Sequence, residues 1–556
     1  MRMKTLLVVL VGLLTAGSLP VSGAAVRTSS LTADFDGDGY EDLAIGAPGK
    51  DSGAGLVVVM YGGPGGLSFN RHLILRQSPA LHELPEPGDE FGAALAIGDF
   101  NGDHYDDLAI GAPGEDGLGG TGPTSADIGV VHILYGSPSG LSTAGNQLLS
   151  FGNGTVLPPA GRPQEHFGQV LAAGNFDDDD DGTDDLAIGI PAFKLATGHV
   201  LIMYGHPSGL SNFRRDSLQQ GLIPGGHPES MPELGDGFGN ALAVGDFNDD
   251  HLDDLAVGAW LETFGRVNSA GAVSIFYGNL DGLGPPCRIV AGVRCQFWHQ
   301  DSPGIANVSE PSDLFGARLA AGDFDGDLVD DLAIGVPGEG LRPRLGPLQW
   351  PNAGAVHILY GNRKFPDTFG GLSAVGSQVW TQNSPGILDH AEAHDFFGSQ
   401  LAAGDFNGDG QYDLAIGVSG ESVGSVEVAG AVHVLFGRTL SGLTPQGNQL
   451  WHQGRPNIPD SPELNDSFGT TLSIGDFDNT GLDELVIGVP REDLRGMVDI
   501  GAVHVLYNFG LIRFNRRFGQ STTFNQFWDL GSFLGDGGID PGDWFGAGLP
   551  LSRSGF

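Results

Sequence analysis

Short apolar segments alternate with turn-forming and acidic residues along most of the chain. Within one stretch they occupy residues 397–405, 413–418, 430–437 and 448–453. All four are rich in Val, Ile, Leu or aromatic residues, and Gly, Pro or Asp bounds each of them, which is typical of short β-strands. The pattern therefore predicts four strands in this unit.

The same unit recurs along the chain, about every 74 residues. A Phe-Gly dipeptide followed by an apolar stretch begins at Phe91, Phe167, Phe238, Phe315, Phe397, Phe468 and Phe545. Acidic segments begin at Asp34, Asp99, Asp177, Asp246, Asp323, Asp405 and Asp476. Four strands repeated seven times predict an all-β fold, a seven-bladed β-propeller of four-stranded blades over residues 25–556.

The two ends of the chain complement each other. The first acidic segment, at Asp34, has no Phe-Gly strand before it, and the last Phe-Gly strand, at 545–549, has no acidic segment after it. We expect the C-terminal strand to pair with the N-terminal blade and close the ring, because closure removes exposed sheet edges. An open solenoid is the alternative, but it does not explain the complementary ends.

Composition changes this picture in two respects. The chain has 93 Gly and 34 Pro, which argues against a mostly helical protein, and its 40% apolar residues argue against disorder. Acidic residues number 68 against 26 basic ones, giving a net charge of −42. Nucleic acid and anionic membranes would be repelled by this charge. The balance suits a protein that binds cations.

The first 24 residues have the features of a secretory signal peptide. Arg2 and Lys4 precede an apolar run at 6–14, and small residues at 22–24 resemble a cleavage site. No later stretch is long and apolar enough to predict a membrane span. We expect a secreted, extracellular protein, or a periplasmic or cell-surface one, and a monomer. In such a protein Cys287 and Cys295 would form one disulfide, with two free thiols as the alternative.

The acidic segments have the composition of calcium-binding loops. The first places carboxylates at positions 1, 3, 5 and 9, namely Asp34, Asp36, Asp38 and Asp42, and a carbonyl at position 7, on Tyr40. Ca²⁺ is a hard cation that takes six to eight oxygen ligands in flexible geometry. The spacing matches the start of an EF-hand loop, but position 12 lacks Glu and a strand follows. We therefore expect several structural Ca²⁺ ions in hairpin loops.

The other six loops vary in quality. Their expected ligands are Asp99, Asn101, Asp103, Tyr105 and Asp107; Asp177, Asp179, Asp181, Thr183 and Asp185; Asp246, Asn248, Asp250, Leu252 and Asp254; Asp323, Asp325, Asp327, Val329 and Asp331; Asp405, Asn407, Asp409, Gln411 and Asp413; Asp476, Asp478, Thr480, Leu482 and Glu484. Leu328 replaces the usual turn glycine, which predicts strain or rearrangement. The third loop has two extra residues after Asn175, and the seventh is the weakest because Thr480 replaces an acid.

A solvated acidic turn is the alternative interpretation of each loop. About half of the acidic residues lie in these seven short segments, which contain no Lys or Arg. Such dense charge would repel itself without cations. The charge distribution therefore favours calcium.

The repeat resembles the FG-GAP repeat of the integrin α-subunit propeller. The resemblance rests on Phe91-Gly92, on Gly98-Asp99-Phe100-Asn101-Gly102-Asp103 and on Gly111-Ala112-Pro113, and it extends over nearly the whole chain after residue 24. It implies a seven-bladed propeller with calcium in the loops that join the first two strands of the blades.

The sequence contains none of the common catalytic motifs G-x-S-x-G, H-E-x-x-H or a phosphate-binding loop. The repeated His132, His357, His433 and His504 indicate packing, because a catalytic group is needed only once. His390, Glu392 and His394 are either a transition-metal cluster or a solvated loop. We therefore predict no catalytic residue.

The sequence predicts a protein- or glycan-binding module of the adhesion type. The alternatives are a secreted phospholipase- or glycan-active hydrolase built on the same propeller and a structural surface-layer component. Because connections alternate between faces, the long loops lie on the face opposite the calcium loops. Trp260, Arg342, Arg344 and Trp350 fall in such loops and are candidate ligand contacts or blade caps.

Overall fold

The computed structural model describes residues 33–116, 126–151, 163–177, 182–211, 214–221, 231–283, 295–341, 350–363, 370–456, 458–507 and 525–550. The expected signal peptide, at 1–24, lies outside these residues. So do Asp179, Asp181, Arg342 and Arg344.

The described chain forms seven antiparallel sheets, which are the blades of a β-propeller. Blade 1 contains β1 (Leu43–Ala47), β2 (Leu56–Met60) and β3 (His72–Leu75). Blades 2 and 3 contain β4 (Ala94–Gly98), β5 (Asp107–Ala112), β6 (Val130–Tyr135), β7 (Ser142–Ser150), β8 (Val170–Gly174), β9 (Asp185–Gly189), β10 (Val200–Met203) and β11 (Arg215–Leu218). The repeat in the sequence thus corresponds to one sheet per copy.

Blades 4 to 7 have the same four-stranded order. Blades 4 and 5 contain β12 (Phe238–Gly245), β13 (Asp254–Ala259), β14 (Ala272–Phe276), β15 (Cys295–Trp298), β16 (Arg318–Gly322), β17 (Asp331–Val336), β18 (Ala355–Tyr360) and β19 (Ser373–Trp380). Blades 6 and 7 contain β20 (Phe397–Gly404), β21 (Asp413–Val418), β22 (Ala431–Phe436), β23 (Thr444–Trp451), β24 (Thr471–Gly475), β25 (Glu484–Val489), β26 (Ala502–Leu506) and β27 (Gln526–Asp529). The four-stranded unit predicted from residues 397–453 is confirmed.

In the described part of the chain, helical structure occurs only as single turns. These are α1 (Lys50–Gly53), α2 (Phe193–Ala196) and α3 (Leu530–Leu534), with 3-10 turns at Pro79–Leu81 and Asp536–Gly538. No helix in the described part of the chain is long and apolar enough to cross a membrane. The structure is therefore almost entirely β.

The hydrophobic core lies between consecutive blades rather than within one centre. Seven large apolar clusters each combine residues of two neighbouring blades. One of them joins blade 7 to blade 1, where Val486 and Val503 pack with Ile45 and Val58. This seventh interface brings the two ends of the array together as a ring.

A second glycine is needed opposite the Phe-Gly dipeptide, where neighbouring blades approach closely. A Cβ atom on Gly111 of β5 would lie 2.1 Å from the carbonyl oxygen of Gly168, the glycine of the dipeptide in blade 3. Gly488 of blade 7 is placed in the same way against Gly546, near the C terminus. Since real Cβ atoms do not approach oxygen so closely, only glycine fits at these positions.

The C-terminal segment contacts blade 1 where the missing strand is expected. Gly546 N donates to Gly46 O at 2.9 Å, and Gly46 N donates to Gly548 O at 2.7 Å. These bonds form an isolated bridge, and residues 545–549 are not a strand of the blade 1 sheet. Completion of blade 1 by a full fourth strand therefore stays a prediction.

The repeated histidines are core side chains. His132, His357, His433 and His504 are at most 1% exposed, and burial lowers their pKa values to about 3 or 4. Each packs edge to face against the Phe of a Phe-Gly dipeptide, with ring centroids 5.3–5.5 Å apart. This arrangement agrees with the packing role expected from their repetition.

The disulfide prediction concerns the start of β15. Cys295 is disulfide-bonded and 4% exposed. Cys287 lies outside the described residues.

Candidate metal centre

The last acid of each hairpin loop fastens the loop to its own blade. In blade 5, Asp331 Oδ2 accepts a hydrogen bond from Phe324 N at the start of the loop, and Oδ1 accepts one from Gly361 N after the third strand, both at 2.9 Å. The same pair of bonds, at 2.8–3.1 Å, is made by Asp42, Asp107, Asp185, Asp254 and Asp413. The ninth position is therefore structural as well as a candidate ligand.

Burial has a large effect on these carboxyls. They are at most 3% exposed, and Glu484, their counterpart in blade 7, is fully buried. Burial, together with repulsion from nearby loop acids, raises the pKa of Asp42 to about 8, of Asp107 to about 9 and of Glu484 to about 10. Without a neutralising partner, the charged forms are thus disfavoured inside the loops.

The first acid of each loop shapes the turn. Asp323 Oδ1 accepts hydrogen bonds from Gly326 N and Asp327 N, and Oδ2 accepts one from Leu328 N, at 2.7–3.0 Å. Asp99 and Asp405 make the same three bonds in blades 2 and 6. These bonds turn the chain back, so that alternate side chains converge on one point.

Among the described loop residues, three carboxylates come together in the loops of three blades. One oxygen from each acid lies within 4.8 Å of the others. The groups are Asp34, Asp36 and Asp42 in blade 1, Asp323, Asp325 and Asp331 in blade 5, and Asp476, Asp478 and Glu484 in blade 7. The seventh loop, which is the weakest by sequence, is thus one of the three whose acids converge.

Some carboxylate oxygens in these loops have no hydrogen-bond partner, which bears on whether a cation fits there. Asp325 Oδ1 in blade 5 is buried without a hydrogen-bond partner, as are Asp478 Oδ1 and Glu484 Oε1 in blade 7. A buried carboxylate oxygen without a partner is costly unless a cation or proton neutralises it. Clustered hard oxygen donors are the ligand set that Ca²⁺ prefers. The residues present therefore fit calcium.

An arginine reaches the loop acids in blades 1 and 3. The Arg71 guanidinium forms ion pairs with Asp36 and, at 2.9 Å, with Asp38, and it lies 4.6 Å from the centre of the Tyr61 ring. Arg214 pairs with Asp177 and stacks on Tyr204 in the same way. These loops have a positive charge of their own, supplied by the turn between the third and fourth strands.

Asparagine stands at the third position in the loops of blades 2, 4 and 6, and in blades 4 and 6 its amide binds the ninth-position acid. Asn248 Nδ2 donates to both oxygens of Asp254 at 3.1–3.2 Å, and Asn407 does the same to Asp413. In blades 2 and 6 the described residues form no group of three acidic or histidine side chains. Blade 4 has such a group, but it consists of Asp246, Asp249 and His251.

The third loop has a different register from the predicted one. Asn175 N donates to Asp253 Oδ2 and Phe176 N to Asp185 Oδ2, the bonds that Asp99 and Phe100 make in blade 2. Asn175 therefore stands at the first position, and Asp177 stands at the third. Whether Asp177, Thr183 and Asp185 bind a cation stays a prediction.

The sixth position adopts a left-handed backbone conformation whatever its residue. The φ angle is 85° at Gly39, 71° at His104, 68° at His251, 68° at Leu328 and 82° at Gly410. Leucine is disfavoured in this region. The strain predicted at Leu328 therefore has a structural basis, and the loop retains its shape despite it.

Sequence reasoning missed the acid at the eighth position. Asp106 Oδ2 accepts a hydrogen bond from Asp34 N of the preceding blade at 2.9 Å, and Glu41 Oε2 accepts one from Asp476 N at 2.8 Å, which joins blade 7 to blade 1. Asp184, Asp253, Asp330 and Asp483 make the same link. The paired acids that end six of the seven loops were the available signal, since only one acid of each pair faces the loop interior; in blade 6 the eighth position is Tyr412.

The other candidate residues lie on the opposite face. His390, Glu392 and His394 are exposed, and the described residues do not bring them together as metal ligands. Trp350 is half-buried and pairs with Leu341 through two backbone hydrogen bonds at 2.7 and 3.0 Å. Trp260 is half-buried too, so neither tryptophan is fully available to a ligand.

Known proteins share the repeat. The FG-GAP repeat model matches residues 26–60, 91–134, 238–276, 315–359, 397–435 and 468–506. Mouse phosphatidylinositol-glycan-specific phospholipase D is 32% identical over 180 residues, which are 32% of this chain and 19% of that protein. Integrin alpha-5 of Xenopus laevis is 29% identical over 262 residues, which are 46% of this chain and 20% of that protein. The chain thus spans about a fifth of the length of these relatives.

A rhamnogalacturonan lyase of Bacillus licheniformis resembles the structure weakly. The TM-score is 0.30 at 12% identity, covering 67% of this chain and 68% of that one.

Proposed function

Because the chain carries FG-GAP repeats that are distantly homologous to integrin α-subunits and to phosphatidylinositol-glycan-specific phospholipase D, we propose that it is a secreted, calcium-stabilised propeller that binds an extracellular protein. Calcium in the hairpin loops would hold one face rigid. The ligand would bind to the other face, which carries the links between blades and the turns after the second strands.

The distribution of exposed apolar side chains supports this choice of face. Among the described residues, fourteen large apolar side chains are exposed: nine lie on the ligand face, four on the calcium-loop face and one, Val375, on the outer strand β19. The nine are Leu84, Leu195, Met231, Leu234, Val308, Leu388, Leu464, Val498 and Trp544. These side chains belong to links and turns around the ring, and an excess of exposed apolar residues on one face favours that face as the interaction surface.

The apolar character favours a protein over a glycan. Eight of the nine side chains are aliphatic, counting Met231, and Trp544 is the one aromatic ring among them. Aliphatic side chains bury well against another protein, whereas a glycan offers mostly hydroxyl groups. Glycan binding and hydrolysis are therefore the alternatives that the experiment below must distinguish from protein binding.

A binding screen with matched variants tests the proposal. Purified protein is applied in calcium to immobilised matrix proteins and to a glycan array, and Leu234→Ser and Trp544→Ala are compared with Leu440→Ser. Leu440 is 84% exposed on the calcium-loop face, so its substitution is the control. We expect binding to a protein and at least a tenfold loss, about 1.4 kcal/mol, in the first two variants only.

Three results would contradict the proposal. Binding to glycans alone would replace the protein ligand by a sugar. Turnover of a phospholipid or polysaccharide would favour the hydrolase alternative. A loss confined to Leu440→Ser would place the ligand on the calcium-loop face.

A further inference from the structure

A second acidic arrangement lies on the ligand face, away from the hairpin loops. In blade 7 it combines Glu463 and Asp466, from the link before β24, with Glu492, from the turn after β25. One carboxylate oxygen from each residue lies within 4.8 Å of the others. Gln453, which follows the last strand of blade 6, donates its Nε2 to Glu492 Oε2. The arrangement therefore connects two blades.

Two carboxylate oxygens of this cluster have no partner. Asp466 is 1% exposed and Glu492 is fully buried. Asp466 Oδ2 accepts from Glu463 N, and Glu492 Oε2 accepts from Gln453, but no donor reaches Asp466 Oδ1 or Glu492 Oε1, which are both buried. The other group that interacts with the Glu492 carboxyl is a further acid, Asp460, which adds to the negative charge. Unpaired buried carboxylate oxygens are costly, so the cluster needs a positive charge or a proton.

The corresponding place in blade 1 contains a cation of the protein's own. Lys50 stands where blade 7 has Glu492, and Asp540 and Asp543 stand where it has Glu463 and Asp466. The Lys50 ammonium lies 2.6 Å from Asp540 Oδ2 and 3.5 Å from Asp543 Oδ1, and its side chain is only 2% exposed. A buried positive charge thus sits between the same two acidic positions.

The residue that contacts Glu492 from the preceding blade also differs between blades 7 and 1. Where blade 6 supplies Gln453 to blade 7, blade 7 supplies Leu530 to blade 1. At the place of the same pair in blade 3 stand Phe151 and Phe193, which belong to one apolar cluster. The Gln–Glu hydrogen bond is present in the remaining copies: Gln77 with Glu115, Gln220 with Glu262, Gln300 with Glu339, Gln382 with Glu421 and Gln453 with Glu492.

We propose that the blade 7 cluster is a second kind of metal site, in which Glu463, Asp466 and Glu492 bind one Ca²⁺ or a similar hard divalent cation, and that Lys50 replaces this cation in blade 1. The exposed Glu463 leaves an entry from solvent, while the two buried acids provide the anchoring charges. Bound there, the cation ties the link between blades 6 and 7 to the second strand of blade 7. This site is separate from the hairpin loops and does not depend on them.

A proton is the competing way to neutralise the cluster. Burial raises the pKa of Glu492 to about 9 and that of Asp466 to about 6, with nearby acids raising both. A protonated cluster would bind no metal at neutral pH. Counting bound ions therefore separates the two possibilities.

The test compares bound calcium in the full chain and its variants. Proteins are dialysed to equilibrium against the same calcium concentration at pH 7.5, and bound metal per chain is measured by elemental analysis. Glu492→Gln keeps the size of the side chain and removes its charge. Glu427→Gln removes the same charge from an exposed position on the same face and is the control. We expect one ion fewer in Glu492→Gln and the wild-type number in Glu427→Gln.

A graft of the blade 1 residues provides a second variant. Gln453→Leu combined with Glu492→Lys should bind one ion fewer than the wild type, and in chelator it should melt no lower than the wild type, because the lysine supplies the missing charge. A wild-type ion count in Glu492→Gln or in the graft overturns the proposal. In a chain that also carries Asp325→Asn, which alters a hairpin loop, Glu492→Gln should still remove one bound ion. A failure of the hairpin sites to bind calcium can therefore be distinguished from a failure of the blade 7 cluster.

Discussion

The hairpin loops of blades 1 and 5 have the same four carboxylates but balance them differently. Asp34, Asp36 and Asp42 converge in blade 1 as Asp323, Asp325 and Asp331 converge in blade 5. In blade 1 the guanidinium of Arg71 pairs with Asp36 and Asp38. In blade 5 no basic side chain of the described residues pairs with the three converging acids, and Asp325 Oδ1 is left without a hydrogen-bond partner.

Because the two loops have the same carboxylates, loop sequence alone does not determine how strongly a loop depends on calcium. Arg71 comes from the turn between the third and fourth strands, outside the acidic segment. An internal cation pairs with one of the converging acids in blade 1. In blade 5 the arginine of the same turn, Arg363, donates to the backbone carbonyl of Asp327 instead, so the three converging acids must take their cation from solution. We therefore expect the calcium dependence of the protein to arise more from blades 5 and 7 than from blade 1.

Removing calcium should have the largest effect, because several loops lose their cations together. Each occupied site stabilises the folded state by about 2.7 kcal/mol at a hundredfold excess of calcium over Kd. The melting temperature should fall in chelator, and differential scanning calorimetry measures the fall. An unchanged melting curve would mean that none of the loops is an occupied structural site.

The pH dependence of this effect has a definite sign. The folded-state pKa values of Asp42 and Asp107 are raised to about 8 and about 9 by burial, so protonation stabilises the calcium-free fold. That stability is complete below the ordinary aspartate pKa of about 4 and is lost as pH rises to about 9. The four buried histidines, whose pKa values are lowered, oppose this trend below the ordinary histidine pKa of about 6.5. In chelator the melting temperature should therefore decrease from pH 7 to pH 9. In calcium, which favours the charged carboxylates, the decrease should be smaller.

Asp331→Asn and Asp42→Asn should destabilise the calcium-free protein by similar amounts. In each residue both carboxylate oxygens accept hydrogen bonds from buried backbone N–H groups. The substitution replaces one of these oxygens by an amide NH2 group, which donates and cannot accept. An unsatisfied buried group costs about 1–3 kcal/mol. Urea unfolding in chelator measures both losses, and a much smaller loss at Asp42 would show that the ninth position does not fasten the two loops equally.

Asp325→Asn and Asp36→Asn should respond in opposite ways to chelator. In calcium, Asp325→Asn should lose up to about 2.7 kcal/mol, the contribution of one site. In chelator the same change should be neutral or stabilising, because it removes like-charge repulsion. Asp36→Asn should destabilise the protein even in chelator, since Arg71 loses an ion-pair partner. Identical behaviour of the two variants would remove the distinction between the loops.

Arg71→Met should have the smallest effect and should make blade 1 resemble blade 5. Arg71 is half exposed, and an exposed ion pair contributes about 1 kcal/mol or less. We expect that loss in chelator and a smaller one in calcium, so the melting temperatures with and without calcium should move further apart than in the wild type. An unchanged separation would mean that Arg71 does not substitute for calcium.

Much of the fold could be predicted from the sequence because it repeats. Seven copies of a strand pattern indicate seven blades, and the Trp residues at the outer strands fall in β15, β19, β23 and β27. Position 1 and position 9 of the loops were identifiable because both are acidic in nearly every copy. The register of the third loop was not, because its two extra residues allow both Asn175 and Asp177 as a starting point.

Contacts between distant segments could not be read from the spacing. Arg71 reaches Asp36 across 35 positions of the chain, and Asp476 N finds Glu41 across 435. Each depends on which strands neighbour each other in the ring. The same holds for Lys50, whose partner Asp540 lies near the other end of the chain.

An anomalous-difference map from a crystal grown in calcium tests the central claim most directly. We expect a peak in the blade 5 loop about 2.3–2.6 Å from oxygens of Asp323, Asp325 and Asp331, and a second peak in the blade 7 loop at Asp476, Asp478 and Glu484. Blade 1 should show a weaker peak or none, with Arg71 on its acids. Loops of blades 5 and 7 that contain only water at a saturating calcium concentration would contradict the account.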